Sequence, residues 1–232
     1  TMLLPFLIML IFAKEPPDRE HHSLKQLVSC LVEKDGWMFN AIYIITFGGF
    51  IGLANFLPTF FHDQFGVTKV QAGQLTMLAA VMGSAIRIVG GYISDKWGGI
   101  NSLTLVFIGV IVLMLLLSGA PSLTVTTGLF MVCFAFLGMG NGSLFQLVPL
   151  RWPTTTAVAG SMIGEIGALG GAFIPNAMGL SKQYSGSFAY GFIAFTILAA
   201  IIFLFMRLAQ RRWTQTWVGK GGKALSEAKT VY

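Results

Sequence analysis

Residues Gln71 to Gly99 read QAGQLTMLAAVMGSAIRIVGGYISDKWGG. About 20 residues of this stretch are predominantly apolar, enough for one helix to cross a bilayer. A single charge interrupts the run, Arg87. An arginine at the centre of a bilayer costs at least ~2.5–3.5 kcal/mol, so a chain keeps one only where it reaches water, a counter-ion or a ligand. The stretch closes on Ser94-Asp95-Lys96-Trp97-Gly98-Gly99, which reads as a charged, glycine-closed turn.

The rest of the chain has the same character. Of its 232 residues 55% are hydrophobic and 10% charged, and the mean hydropathy is +0.75. Soluble domains carry about 25% charged residues, so this is an all-α, polytopic membrane protein whose surroundings are the lipid bilayer. The 28 glycines suit helices that pack closely in lipid. The net charge of +6 does not point to nucleic acid, because the basic residues fall in loops and the tail. Cys30 and Cys133 lack metal-type spacing and read as ordinary small residues. His21 and His22 sit in a hydrophilic loop and are assigned no metal. No apolar span holds a histidine, and H-E-x-x-H and G-x-S-x-G are absent. These absences argue against an enzyme; no catalytic residue is assigned and no cofactor is implied. A non-catalytic membrane subunit stays open on these grounds.

Thr1–Ala13 is too short to span and reads as the end of a membrane helix begun upstream. Residues 14–36 form a charged loop, stopped at Pro16-Pro17, with a short amphipathic helix expected over Ser23–Val32. Six apolar spans follow within residues 37–208: Trp37–Phe61, Gln71–Tyr92, Ser102–Gly119, Leu123–Val148, Thr156–Leu180 and Phe188–Leu208. Residues 209–232 are a basic tail. Pro58, with Asn55 before it, marks a kink in the first span. Short links between long helices make neighbours antiparallel, so the loops alternate sides. Twelve of the 15 lysines and arginines then share one side, with Lys69 and Lys182 on the other and Arg87 inside. The positive-inside rule puts the long loop and the C-terminus in the cytoplasm.

Gly91-Tyr92-Ile93-Ser94-Asp95-Lys96-Trp97-Gly98 is similar to the G-x-x-x-D-[KR]-x-G loop of the major facilitator superfamily, with a shorter basic continuation. Gly138-Met139-Gly140-Asn141-Gly142-Ser143-Leu144-Phe145-Gln146-Leu147-Val148-Pro149 and Gly164-Glu165-Ile166-Gly167-Ala168-Leu169-Gly170-Gly171-Ala172-Phe173-Ile174-Pro175 resemble the glycine-rich signature segments of its nitrate/nitrite porter family. Tyr43-Ile44-Ile45-Thr46-Phe47-Gly48-Gly49-Phe50-Ile51-Gly52 resembles that family too. The resemblance implies a six-transmembrane-helix bundle, the C-terminal half of a major facilitator fold, in an inner (plasma) membrane. It implies transport of nitrate or nitrite by alternating access, as a proton symporter or as a nitrate/nitrite antiporter. The substrate would lie between Arg87 and an arginine of the missing N-terminal six-helix half. Tyr43 matches a substrate-site tyrosine.

The residues give this chemistry a physical basis. Nitrate is a flat anion that stays ionised, so its site needs a permanent charge. Arginine supplies one, with a planar fork of donors matched to trigonal oxygens. The competing reading of Arg87 is an ion pair with Glu165 or Asp95. Asn141 either donates to a bound oxyanion or bonds a neighbouring helix. Gly142, Gly170 and Gly171 bring helices together, as do Gly160/Gly164, Gly167/Gly171 and Gly138/Gly142 by small-xxx-small spacing; they also leave bare backbone beside a small anion. Glu165 is the candidate for proton coupling, since a buried carboxyl can take and release a proton near neutrality; the alternative is a fixed partner of Arg87 or Arg151. Asp95 and Lys96 would brace one gating state. Phe47 reads as a packing residue. Another major facilitator substrate, a sugar, drug or organic anion, is the rival; few intramembrane carboxylates are present for a sugar.

Overall fold

The computed structural model describes residues 3–12, 32–119 and 121–225. The helix expected over Ser23–Val32, Cys30, His21 and His22 lie outside the described residues, except Val32 itself. A short helix α1 (Leu3–Phe12) carries exposed Phe6, Met9, Leu10 and Phe12. Six helices long and apolar enough to cross a membrane follow: α2 (Lys34–Phe65), α3 (Lys69–Trp97), α4 (Gly99–Ser118), α5 (Leu123–Arg151), α6 (Thr156–Ser185) and α7 (Ala189–Thr216). The chain is a multi-pass, all-helical membrane protein.

The helices outrun their apolar cores. At 1.5 Å per residue the 29 residues of α3 reach about 43 Å, against a hydrocarbon thickness of about 30 Å. Their polar ends therefore stand in the interfaces. This corrects the turn expected at Ser94–Gly99: Asp95, Lys96 and Trp97 belong to α3, and Gly98 alone joins it to α4. Gly98 makes that corner with φ +96°, a conformation that costs an L-residue with a Cβ. At the other end of α3, Thr68 and Gln71 form a capping box, which satisfies two of the orphan N–H groups of the first turn.

Packing follows the small residues. α3 lies chiefly on α5, α4 on α5 and α7, and α2 on α6. A Cβ on Gly83 would stand 2.5 Å from the Phe134 carbonyl oxygen, and one on Gly90 would stand 2.5 Å from the Met139 Cα. Such backbone approach needs residues without side chains. Below this seam Ser94 donates to Ser143 Oγ at 2.6 Å, while Ser143 donates to the Met139 carbonyl at 2.8 Å. Two aromatic clusters close the ends of the bundle. Phe56, Phe60, Phe130, Phe188 and Phe192 interlock at one end. Phe39, Trp152, Trp213 and Trp217 do so at the other. Cys133 is a buried free thiol of the α5 core.

Two features are absent from the reading of the sequence. α2 contains a π-helical turn at Ile44–Gly48, ahead of Pro58. And the segment after α7 folds back: Lys220–Gly222 forms a single turn whose Gly221 and Gly222 are buried. A Cβ on Gly222 would stand 2.5 Å from the Ile100 nitrogen and 3.0 Å from that of Gly99. The tail thus seats on the first turn of α4.

Candidate functional site

The π-helical turn decides what α2 presents. Such turns widen a helix locally and recur at functional sites. Tyr43 precedes this one and Phe47 lies within it. Their rings stack at 4.8 Å with 12° between planes. Phe145 of α5 meets Tyr43 edge-on at 5.3 Å. Arg87 of α3 places its guanidinium carbon 5.4 Å from the Phe47 ring centroid, a cation–π contact worth about 0.5–1 kcal/mol where exposed. The structure therefore brings two of the expected residues, Arg87 and Tyr43, to one place. It adds Phe47 and Phe145, whose roles were not legible from spacing: a pair four apart on a helix is ordinary packing until a charge is found over it.

Arg87 is exposed on the bundle surface, and among the described residues no carboxylate stands within ion-pair distance of it. The competing pairing with Glu165 or Asp95 is not made. Glu165 itself is exposed, not buried, which corrects the apolar surroundings assumed for it. Nor does it hold Arg151, the other proposed partner. Arg151 Nε donates to Asp35 at 2.7 Å, and its Nη2 also pairs with Glu33. Asp35, on α2, further accepts from Arg212 and from Trp213 Nε1 at 2.8 Å. This buried carboxylate ties the ends of α2, α5 and α7 together; sequence patterns placed it in the loop before the first span and missed it.

The glycines are filled by neighbouring helices. A Cβ on Gly142 would stand 2.5 Å from the Arg87 carbonyl oxygen and 2.7 Å from the Gly91 nitrogen. Gly142 is thus the spacer on which the arginine-bearing turn of α3 rests. Gly170 faces the Ile44 carbonyl and Gly48 Cα, at 2.9 and 3.1 Å from its would-be Cβ, and Gly171 faces Ile51 at 2.8 Å. In the described structure α2 and α3 occupy the space beside Gly142, Gly170 and Gly171. Gly164, expected to pack with Gly160, has nothing within 4 Å of a Cβ.

Asn141 is 1% exposed, and neither its amide nitrogen nor its oxygen has a hydrogen-bond partner in the described structure. The bond to a neighbouring helix is not made there. Thr46 Oγ, in the π-helical turn, is likewise buried without a partner. Buried polar groups are rarely left so, and these two flank the packed zone between α2 and α5. Asp95 makes no ion pair among the described residues, and Lys96 Nζ lies 4.4 Å from the Tyr92 ring centroid. The pair stands one turn from the Gly98 corner on which the tail is seated.

Comparison with known proteins gives this geometry a lineage. The chain is 30% identical over 183 residues to the nitrite extrusion protein of Bacillus subtilis, covering 78% of the chain and 46% of that protein. It is 32% identical over 179 residues to a nitrate/nitrite transporter of Salmonella typhimurium, covering 65% and 38%. A nitrate/nitrite transporter of Escherichia coli is 28% identical over 209 residues, covering 77% and 45%. The chain spans about half the length of the curated relatives it matches. Residues 1–175 match the Major Facilitator Superfamily, and the chain belongs to that superfamily.

Proposed function

We propose that the chain is the C-terminal half of a transporter that carries nitrate or nitrite across an inner (plasma) membrane by alternating access. The observation that carries this reading is Arg87: a permanent charge in a membrane-length helix, held over an aromatic wall, with no carboxylate beside it among the described residues. Its planar donors suit a trigonal oxyanion. Tyr43 offers a hydroxyl, Phe47 and Phe145 wall the site against water, and Asn141 holds an amide in reserve for a state in which α5 has moved. Gly142, Gly170 and Gly171 serve the site by fixing α3 and α2. The names of the relatives support nitrite and nitrate as substrates.

In this reading residues 1–13 end a preceding membrane helix, 14–36 link the halves on the cytoplasmic side, and the bundle and basic tail follow. The companion half covers α3 and α6. Only 22% of the apolar window of α3 is buried in the bundle, the lowest share of the six spans. Met77, Val81 and Ile88 of α3, with Leu169 and Phe173 of α6, are exposed beside Arg87 and Glu165. Arg87 then faces a cavity between halves that rock about a midplane site. Asp95 and Lys96 brace the cytoplasmic corner, and the C-terminus is cytoplasmic.

The test is uptake of labelled nitrate by the intact transporter. Arg87→Ala and Arg87→Lys both abolish saturable uptake, the lysine because it keeps charge without the fork. Normal uptake by Arg87→Lys overturns the reading. Coupling is by exchange or by protons, and Glu165→Gln separates the two.

A further inference from the structure

At the end of the bundle away from the Gly98 corner, a cavity of about 360 Å³ opens between α2 and α6. Asn55, Thr59 and Asp63 line one wall, in steps of four along α2; Gly179, Lys182 and Gln183 line the other, along α6. Polar residues on one face within an apolar span, here Asn55 and Thr59, line water or a substrate path, because lipid would leave them unsatisfied; Asp63 follows on the same face at the interface. Asn55, Thr59 and Asp63 are all exposed. Thr76, Thr104, Thr127 and Thr196 spend their hydroxyls on the carbonyl four residues back. Thr59 does not, and the Asn55 and Gln183 amides are also unbonded to protein among the described residues. Lys182 is held at the mouth, its Nζ 4.9 Å from the Phe188 ring centroid. Lys182 and Lys69 are the two cations that the loop alternation assigns to this face, and Lys182 alone lines the cavity. From Thr59 to Phe47 is 12 residues of α2, about 18 Å along the helix.

We propose that this cavity is a second anion station, on the opposite membrane face to the tail, from which nitrate or nitrite passes to Arg87. Lys182 is its cation, and Asn55, Thr59 and Gln183 are its neutral donors. Asp63 sets its strength. A carboxylate in the same cavity offsets the lysine and keeps the station shallow, and a conduction site must bind weakly enough to release. The station is a collector: it raises the local anion concentration at the mouth and shortens the search for Arg87. This inference rests on the reading of the chain as an anion transporter.

The experiment measures labelled nitrate entering from this face through the intact transporter, in liposomes of neutral lipid, at about 10 mM and about 300 mM ionic strength. The Debye length falls from about 30 Å to under 8 Å between these conditions. Lys182→Gln raises KM about fivefold at low ionic strength with kcat within twofold, and the difference fades at high salt. Lys182→Arg retains the low KM. Asp63→Asn moves KM the other way, downward, and is an independent reading should Lys182→Gln fail to assemble. Lys69→Gln, outside the cavity, leaves KM in place. An unmoved KM in both Lys182→Gln and Asp63→Asn, while Arg87→Lys still abolishes uptake, overturns the station and spares the transport function. Uptake that survives Arg87→Lys overturns the function beneath it.

Discussion

Gly142→Ala is the sharpest probe of how the site is held. The added methyl would lie 2.5 Å from the Arg87 carbonyl oxygen and 2.7 Å from the Gly91 nitrogen. Both are roughly 1 Å inside ordinary van der Waals contact. Neither neighbour can rotate away, because each is backbone in the middle of α3. The helix that bears Arg87 must move off α5, against a seam already locked by Gly83, Gly90 and the Ser94–Ser143 bond. Overpacking of this kind costs about 1–3 kcal/mol. Expressed at the site that is about 5- to 150-fold. We expect nitrate uptake at sub-saturating substrate to fall by about tenfold, with a measurable loss of thermal stability in detergent. Gly128→Ala is the matched control, on the same helix with nothing within 4 Å, and keeps uptake and stability within error. Wild-type uptake and stability in Gly142→Ala would refute the reasoning, since α3 would then not rest on that glycine.

Four further outcomes follow from the same structure. Asp35→Asn removes the negative charge that Arg151 and Arg212 share and leaves one acceptor oxygen where there were two, and removing one partner of a buried ion pair costs about 3–5 kcal/mol; the half-exposed Arg212 lowers that toward about 2 kcal/mol, and a melting curve in detergent shows it as a clear drop in Tm. Under exchange, Glu165→Gln leaves nitrite-driven nitrate uptake and its pH profile unchanged, whereas a profile that flattens assigns a proton to Glu165. Phe47→Leu removes the cation–π contact with Arg87 and raises KM about threefold, checked by initial rates across a substrate series. Gly167→Ala drives a methyl into the Tyr43 ring, 3.0 Å from its Cγ, and lowers uptake, while Gly179→Ala, with open space around it, preserves folding and melting temperature.

The sequence carried the spans because crossing a bilayer is a demand on composition, which needs no knowledge of neighbours. Arg87 was legible for the same reason: a charge in an apolar run is visible from the run alone. What Arg87 touches was not legible. Its aromatic wall depends on a π-helical turn that residue spacing does not announce, and its freedom from Glu165 depends on how α6 is rotated. The glycines were read as contact residues, and a small residue says only that something comes close. That Gly142 meets Arg87, Gly170 meets Gly48 and Gly164 meets nothing is fixed by helix pairing. Asp35 fell outside the expected first span because its charge lowers local hydropathy. Its three partners lie more than 100 residues away in sequence.

The seat of the tail on α4 has a consequence for how the protein is made. Gly99 and Ile100 are translated more than 100 residues before Gly221 and Gly222. The corner that follows α3 therefore enters the membrane without its cover and stays uncovered until α7 has been inserted. Val218, Gly221 and Gly222 are then buried together once the chain after α7 has emerged. The closing of that turn requires α7 to end on the same side as the start of α4. A chain cut at Thr216 lacks Gly221 and Gly222 and leaves that corner without this cover.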